Sequence, residues 1–186
     1  MIKRHQKKPP PMNSDYVKMC IAEYYRYERQ APIFSFERSV GSYGNHHPDI
    51  LVVTNKRRLV EIEVKVSLSD FKADAKKRIW AARDSGWCAM PYQFYYAIPD
   101  YLVEKILPLV RKDCGVLSVK YRRDFFSKSV MCNRRAPINK KSKKLSLTRA
   151  TKMAYNQTGT LCSLMEKNYK LTETLKEIRA KEKDDS

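Results

Sequence analysis

Residues 59–67 alternate between apolar and polar side chains, a pattern typical of a β-strand with one buried face. The apolar side carries Val60, Ile62, Val64 and Val66. The polar side carries Glu61, Glu63, Lys65 and Ser67. Because successive side chains point to opposite faces of a strand, the chain must bury the first set and leave the second against a cleft or solvent.

A second short strand precedes this one and brings another carboxylate to it. Residues 49–54 are apolar after Asp49, and residues 55–58 form a basic turn that leads into the alternating strand. The two strands therefore predict a β-hairpin. In that hairpin Asp49, at the head of the earlier strand, lies beside Glu63.

The remaining segments predict a mixed α/β sheet with helices outside it. Caps at Asn13 or Ser14 and at Ser69 begin helices that end near Arg29 and Ser85. The other predicted strands are 33–40, 92–98 and 116–120, and the other predicted helices are 100–110, 145–157 and 161–183. The order is helix, three strands, helix, strand, helix and strand, followed by a helical tail.

Length and composition predict one folded domain with two basic extensions. A chain of 186 residues is long enough to bury a sizeable core. Residues 1–12 are expected to be a disordered basic arm, residues 13–135 the folded domain, and residues 136–186 a basic, mostly helical C-terminal extension. No apolar run approaches the roughly 18–20 residues that span a bilayer, and no signal peptide is evident, so an intracellular, nucleoid-associated location is expected.

The chain is strongly basic, which bears on the kind of partner that it binds. The formal net charge is +18, from 38 lysines and arginines against 20 acidic residues. Such a surface attracts polyanions, of which nucleic acid is the usual one, but a ribosomal or membrane-surface protein is also basic, so charge alone decides little. The five cysteines are far apart and form no Cys-x-x-Cys pair, which argues against a disulfide framework and a structural zinc site.

Two carboxylates and a lysine on adjoining strands suit the hydrolysis of a phosphodiester. Carboxylate oxygens are preferred ligands of Mg²⁺, which lowers the pKa of a bound water and neutralises charge on a phosphate. Lys65 shares a face with Glu63, where it either orients or deprotonates the attacking water or supports developing negative charge. The alternative is a solvent-facing strand with a surface salt bridge.

The same residues carry a family resemblance. Asp49 with Glu63-Val64-Lys65 is similar to the PD-(D/E)XK nuclease signature, within the matching strand order. The stretch from Pro48 through Asp74 is more narrowly similar to MmcB-type DNA repair proteins, as are the segments at 95–100 and 134–137. The resemblance spans roughly residues 33–154 and implies a restriction-endonuclease-like fold.

This resemblance implies a Mg²⁺-dependent cut in DNA, with Mn²⁺ expected to substitute. Asp49 and Glu63 would bind the metal, and Lys65 would serve the water. Many members of the superfamily add an acid from the first helix, for which Glu23 is the candidate here and Glu37 a rival.

Glu61 is a further acid on the same face of the strand. It is expected either to support the site or to pair with Lys56 or Arg58. Asp70 and Asp74, on the following helix, are expected to interact with the helix dipole rather than with a metal.

Two sets of lysines are candidates for contacts with DNA. The first set lies on the helix after the charged strand, where superfamily members often place a basic residue near the site: Lys72, Lys76 and Lys77. The second set is a basic run: Lys140, Lys141, Lys143 and Lys144. Lysines of this kind neutralise phosphates without reading sequence. The alternatives are a solvated helix face for the first set and a solubilising loop for the second.

Taken together, the sequence predicts a Mg²⁺-dependent DNA endonuclease acting in repair or recombination. A structure-specific enzyme is favoured, because nothing in the chain resembles a base-reading module such as a zinc finger. Two alternatives are a catalytically silent DNA-binding protein of the same fold and a basic RNA-associated scaffold. Many relatives in the superfamily work as pairs, with which a homodimer is compatible.

Overall fold

Six β-strands form one sheet in which neighbours in sequence are also neighbours in space. The computed structural model describes residues 11–36, 47–86, 88, 90–122 and 127–184. The strands are β1 (Ile33–Phe36), β2 (Ile50–Val53), β3 (Leu59–Val64), β4 (Gln93–Pro99), β5 (Gly115–Val119) and β6 (Val130–Arg134).

The sheet is mixed, as the sequence predicts. The pairs β1–β2, β2–β3 and β5–β6 are antiparallel, and the pairs β3–β4 and β4–β5 are parallel. The predicted hairpin of β2 and β3 is present, with Ile50 opposite Ile62. Its turn is closed by the Thr54 N–H, which donates to the Arg58 carbonyl at 2.9 Å.

Helix α1 (Ser14–Glu23) covers one face of the sheet. The Asn13 side chain accepts a hydrogen bond from the Tyr16 N–H at 2.8 Å, so the predicted cap begins the helix. Its buried face packs against the apolar side of β3 through Val17, Cys20 and Ile21. The helix continues as a π-helical turn at Tyr24–Glu28.

Two short helices cover the opposite face: α2 (Leu68–Asp74) and α3 (Arg78–Asp84). The sequence predicts one helix from Ser69 to Ser85, but in the structure this helix is interrupted between α2 and α3. Ser67, rather than Ser69, caps α2, since its hydroxyl accepts from the Asp70 N–H at 3.1 Å. The break leaves Asp74 at the end of α2, where it is only 2% exposed.

A second core lies between these helices and β4. Alternate residues of β4 point into it, and aromatic rings from α2 and α3 pack on them. The central side chains are Phe71, Trp80, Phe94, Tyr96 and Ile98. The segment that follows β4 contains α4 (Val103–Ile106), within the span predicted to be helical.

The C-terminal part of the chain is one long helix, α5 (Leu147–Asp184), where the sequence predicts two. The approach to α5 and its first turns pack on β2 and β3 through Leu145, Ala150 and Met153. From Leu161 onward most side chains are exposed up to residue 179. No helix in the described ranges combines the length and apolar character needed to cross a bilayer.

Strand β6 is absent from the sequence prediction. Its five residues are half-buried or exposed. Their sequence, Val-Met-Cys-Asn-Arg, does not alternate between apolar and polar residues as a half-buried strand does. Pairing with β5, rather than a sequence pattern of its own, defines it.

Candidate active site

Strand β3 sets the charged side chains on the face of the sheet that α2 and α3 cover. Glu61 lies beside Phe94 and Glu63 beside Tyr96 in the parallel pairing with β4. All six residues of β3 are buried, including both glutamates. The charged face of β3 therefore lies against protein rather than open solvent, and its carboxylates require partners.

Asp49 is held at the head of β2. Its Oδ2 accepts a hydrogen bond from the Val64 N–H at 2.7 Å, which ties it to the end of β3. Continuing the register of the hairpin by one residue sets Asp49 opposite Glu63. Lys18 of α1 approaches the other carboxylate oxygen, with its Nζ 3.9 Å from Oδ1.

Glu63 faces two ammonium groups. Its Oε2 lies 3.1 Å from the Nζ of Lys65 and 3.4 Å from the Nζ of Lys77. Burial raises the pKa of the Glu63 carboxyl above its usual value. Lys65 and Lys77 oppose this rise, while the negative charge of Asp49 adds to it. Asp49 and Glu63 therefore interact electrostatically, as neighbouring carboxylates do.

Asp74 holds the same two lysines from the other side. Its Oδ1 lies 2.9 Å from the Nζ of Lys65 and 2.7 Å from the Nζ of Lys77. Its Oδ2 accepts hydrogen bonds from the Tyr96 hydroxyl at 2.8 Å and from the Trp80 indole N–H at 3.3 Å. Burial alone raises the pKa of this carboxyl, but the lysines and Tyr96 outweigh burial and lower it from 3.8 to about 2.

The two lysines differ in their access to solvent. The Lys65 side chain is 5% exposed, whereas that of Lys77 is 46% exposed. Burial lowers the pKa of each ammonium, but the carboxylates of Glu63 and Asp74 outweigh it, so both pKa values are raised. The site thus holds one enclosed lysine and one whose side chain is partly open to solvent.

Glu61 forms a separate pair, and its predicted pairing with Lys56 or Arg58 is wrong. Both of its carboxylate oxygens accept from the Arg83 guanidinium, at 2.8 and 2.7 Å. Glu61 is 0% exposed and Arg83 is 6% exposed. Arg83 comes from α3, which the sequence does not place over β3, so the basic turn next in sequence is the wrong partner.

The proposed additional acids lie in different places. Glu23 pairs with the guanidinium of Arg122, which lies beyond the end of β5. Glu37 lies outside the described residues. Within the described part of the chain, no three side chains drawn from His, Cys, Asp and Glu form a group suited to hold a metal.

The donor set still fits the kind of metal that the sequence resemblance implies. Mg²⁺ binds proteins through one or two carboxylates and keeps several waters or substrate phosphates as its other ligands. The register of the hairpin sets Asp49 opposite Glu63, so the pair combines a carboxylate that is 26% exposed with one that is only 4% exposed. Asp74 is less suited to that role, because both of its oxygens are already engaged by donors.

The predicted DNA-contact lysines divide into two regions. Lys77 belongs to the site, while Lys72 and Lys76 are exposed on and just after α2. The run at 140–144 lies at the other end of β3, beside the hairpin turn. The Arg58 guanidinium donates to the Ser142 carbonyl there, and the Leu145 N–H donates to the Arg57 carbonyl at 2.8 Å.

Sequence reasoning misses three contributors to the site: Lys18, Asp74 and Tyr96. It assigns Asp74 to the helix dipole, whereas this carboxylate forms the buried partner of Lys65 and Lys77. The spacing of Asp74 and Lys77 is a local signal for this pair, because residues three apart are neighbours on the single helix that the sequence predicts here. Nothing local indicates Tyr96, because its contact depends on β4 lying beside β3.

Comparisons with known proteins support the fold and nothing finer. No family model matches the chain, and no curated protein matches it. SPO1766, a protein of unknown function from Silicibacter pomeroyi, has a similar solved structure, with a TM-score of 0.56 and 20% sequence identity. The match covers 86% of this chain and 93% of that one. The chain is therefore an α/β protein with a mixed six-stranded sheet, flanking helices and a C-terminal helix.

Proposed function

We propose that this protein is a metal-dependent deoxyribonuclease with a restriction-endonuclease-like fold. The observation that carries the proposal is the meeting of Glu63 with two ammonium groups beside Asp49. The signature resemblance of Asp49, Glu63 and Lys65 supports the same assignment. The net charge of +18 supports a polyanionic substrate.

The Asp49 and Glu63 carboxylates would hold the metal. When bound there, Mg²⁺ would neutralise charge on the scissile phosphate and lower the pKa of a water. Asp49 is kept in place for this role by its hydrogen bond to the Val64 N–H. Glu63 is kept in place by β3, whose neighbours on both sides fix its backbone.

Lys65 would act as a fixed positive charge rather than as a mobile one. Its ammonium is enclosed between Glu63 and Asp74, at 3.1 and 2.9 Å. A preorganised charge in a buried site stabilises negative charge that develops in the transition state, and needs no reorganisation to do so. Of the three roles predicted for Lys65, this geometry favours charge support and the orientation of water over its deprotonation.

Lys77 would contact the phosphate from outside. It is paired with the same carboxylates as Lys65, but nearly half of its side chain is exposed. A cavity of about 530 Å³ opens beside it, lined also by Lys76, Arg78 and Tyr96. A backbone phosphate in this cavity would meet the exposed part of Lys77, while Lys65 stays enclosed.

The test is metal-dependent cleavage by the purified protein. Supercoiled plasmid, branched duplex and single-stranded DNA are incubated with Mg²⁺, Mn²⁺ or EDTA. We expect nicking that requires the divalent metal and is abolished by Asp49→Asn. The matched control is Asp70→Asn, which removes an exposed carboxylate from α2 and should leave cleavage intact.

A catalytically silent DNA-binding protein is the second candidate. This candidate is favoured because the negative charge of Glu63 is already compensated by Lys65 and Lys77, so the carboxylate does not need a metal as its partner. DNA binding without nicking, unchanged by Asp49→Asn, would support it. A clear preference for RNA over every DNA substrate would instead support the scaffold alternative.

A further inference from the structure

A cavity of about 540 Å³ lies on the opposite face of the sheet from Glu63. Its volume falls within the range of about 300–1,000 Å³ that is typical of small-molecule sites. Its lining comes mainly from the π-helical turn after α1, the hairpin turn between β2 and β3, the beginning of β4 and the segment 135–144. None of the groups assigned to catalysis lines it.

Basic side chains converge on this cavity: Arg29, Lys56, Arg58, Arg135 and Lys144. Among the described residues, no aspartate or glutamate lines it. Arg29 and Arg135 come from different elements and line the same cavity, so two guanidinium-bearing side chains border one space. Such a concave basic site attracts an anion with more than one acceptor oxygen.

Aromatic rings form the rest of the wall. Tyr24 and Tyr92 are half-buried and line the cavity, while Tyr25 and Tyr95 are buried behind them. The Arg58 guanidinium lies 5.3 Å from the centre of the Tyr92 ring. Arginine–aromatic pairs and tyrosine rings are surfaces on which nucleobases stack.

The surrounding backbone holds these side chains in place. The π-helical turn at Tyr24–Glu28 brings Tyr24 and Tyr25 to the cavity, and such turns frequently mark functional sites. The hairpin turn is fixed by Arg57, whose positive φ of 57° allows the chain to reverse tightly. Segment 142–145 is bonded to that turn, which secures Lys144 at the rim.

We propose that this cavity is a second nucleic-acid site, which binds one nucleotide of a single DNA strand. The arginines and lysines take the phosphate, and Tyr24 and Tyr92 take the base. The part of the lysine run nearest the cavity, Lys144, belongs to this site rather than to the Glu63 site. The inference goes beyond the proposed function and does not depend on cleavage.

The experiment measures binding of a short fluorescent oligothymidylate by polarisation, in EDTA so that no cut occurs. The double variant Arg29→Ala/Arg135→Ala is compared with Lys105→Ala/Lys112→Ala, which removes the same charge from exposed positions elsewhere. Unfolding curves check that each variant folds. We expect the first pair to lower the slope of log affinity against log salt by about 1 per arginine, and the second to leave it unchanged.

Substitutions of Tyr92 test independently whether a nucleobase stacks in the cavity. Tyr92→Ala should weaken binding by about fivefold or more through lost stacking, and Tyr92→Phe should retain most of the affinity. Equal losses in the two charge-matched double variants, or equal affinities of Tyr92→Ala and Tyr92→Phe, would overturn the proposal. Neither readout involves nicking, so failure here is distinct from failure of the nuclease proposal.

Competition distinguishes a DNA strand from a free nucleotide as the ligand of this cavity. Thymidine monophosphate and unlabelled oligothymidylate are each added to the labelled complex. Displacement by the strand at far lower concentration than by the mononucleotide is expected for a DNA site. Displacement by both at similar concentration would identify a free nucleotide as the ligand and overturn the assignment to a strand.

Discussion

Lys65 and Asp74 form a buried ion pair, with the lysine Nζ 2.9 Å from the carboxylate Oδ1. Asp74 is the last residue of α2, so the pair joins the end of that helix to the end of β3. Tyr96 completes the arrangement by donating its hydroxyl to the other oxygen of Asp74. The geometry of Lys65 therefore depends on a residue other than Asp49 and Glu63.

The free energy of unfolding of Asp74→Asn should fall less steeply with decreasing pH in acid than that of the native protein. The folded-state pKa of Asp74 lies below that of the unfolded chain, so its contribution is present above 3.8 and is lost as pH falls towards about 2. That contribution is about 2 kcal/mol. Urea unfolding at a series of acidic pH values measures it.

The matched control for this prediction is Asp70→Asn on the same helix, because Asp70 is exposed. Asp74→Asn should also be less stable at neutral pH, since Lys65 and Lys77 each lose a carboxylate partner. If native protein and Asp74→Asn lost stability in parallel as pH falls, Asp74 would not be the ionised partner described here.

Arg83→Met should destabilise the protein severely. It leaves the Glu61 carboxylate without its guanidinium partner inside the core, and breaking a buried pair from one side costs about 3–5 kcal/mol. Replacing both partners with apolar residues, Glu61→Leu/Arg83→Met, should recover much of the loss. Chemical unfolding of the single and double variants measures both effects.

An exposed pair supplies the comparison. Asp84 contacts Arg111 at the surface, so Asp84→Asn should leave the unfolding midpoint almost unchanged. A small effect of Arg83→Met, similar to that of Asp84→Asn, would mean that Glu61 and Arg83 are not paired in the core.

The cysteines should divide into two reactive and three protected thiols. Cys132 and Cys162 are exposed, whereas Cys20, Cys88 and Cys114 are buried. Burial and the negative charge of Asp113 also raise the pKa of the Cys114 thiol, which disfavours the reactive thiolate. Titration with a thiol reagent should modify two cysteines in the native protein and all five in denaturant. Rapid native modification of all five would contradict the packing of both cores.

Lys77→Ala should impair cleavage far more than Lys76→Ala. Lys77 approaches both Glu63 and Asp74, while its neighbour is exposed and follows the end of α2. Loss of one preorganised charge at a reacting phosphate costs about a hundredfold or more in rate. Single-turnover rates of plasmid nicking distinguish the two variants. Equal rates would remove Lys77 from the reaction and leave it a structural partner of Asp74.

Local patterns are sufficient to predict the centre of the fold. The alternation in β3, the basic turn before it and the Asn13 cap are each encoded within a few residues, and each is present in the structure. The placement of Asp49 beside Glu63 follows from the same hairpin. These features need no information about distant parts of the chain.

The partners of the buried charges could not be predicted in this way. Arg83 reaches Glu61, and Tyr96 reaches Asp74, only because α3 and β4 fold back over β3. The break between α2 and α3 has no proline or glycine to announce it. Without that break, Asp74 is expected on a helix surface, where a dipole partner is the reasonable assignment.

The rate at which Glu63→Gln cleaves DNA in Mg²⁺ tests directly whether Asp49 and Glu63 form a metal-dependent catalytic site. The variant keeps the size of the side chain and removes the charge that would hold the metal. We predict that it folds, binds DNA with an affinity close to that of the native protein, and shows no metal-dependent nicking. Cleavage at the native rate, with the same requirement for Mg²⁺, would exclude Glu63 from the metal site.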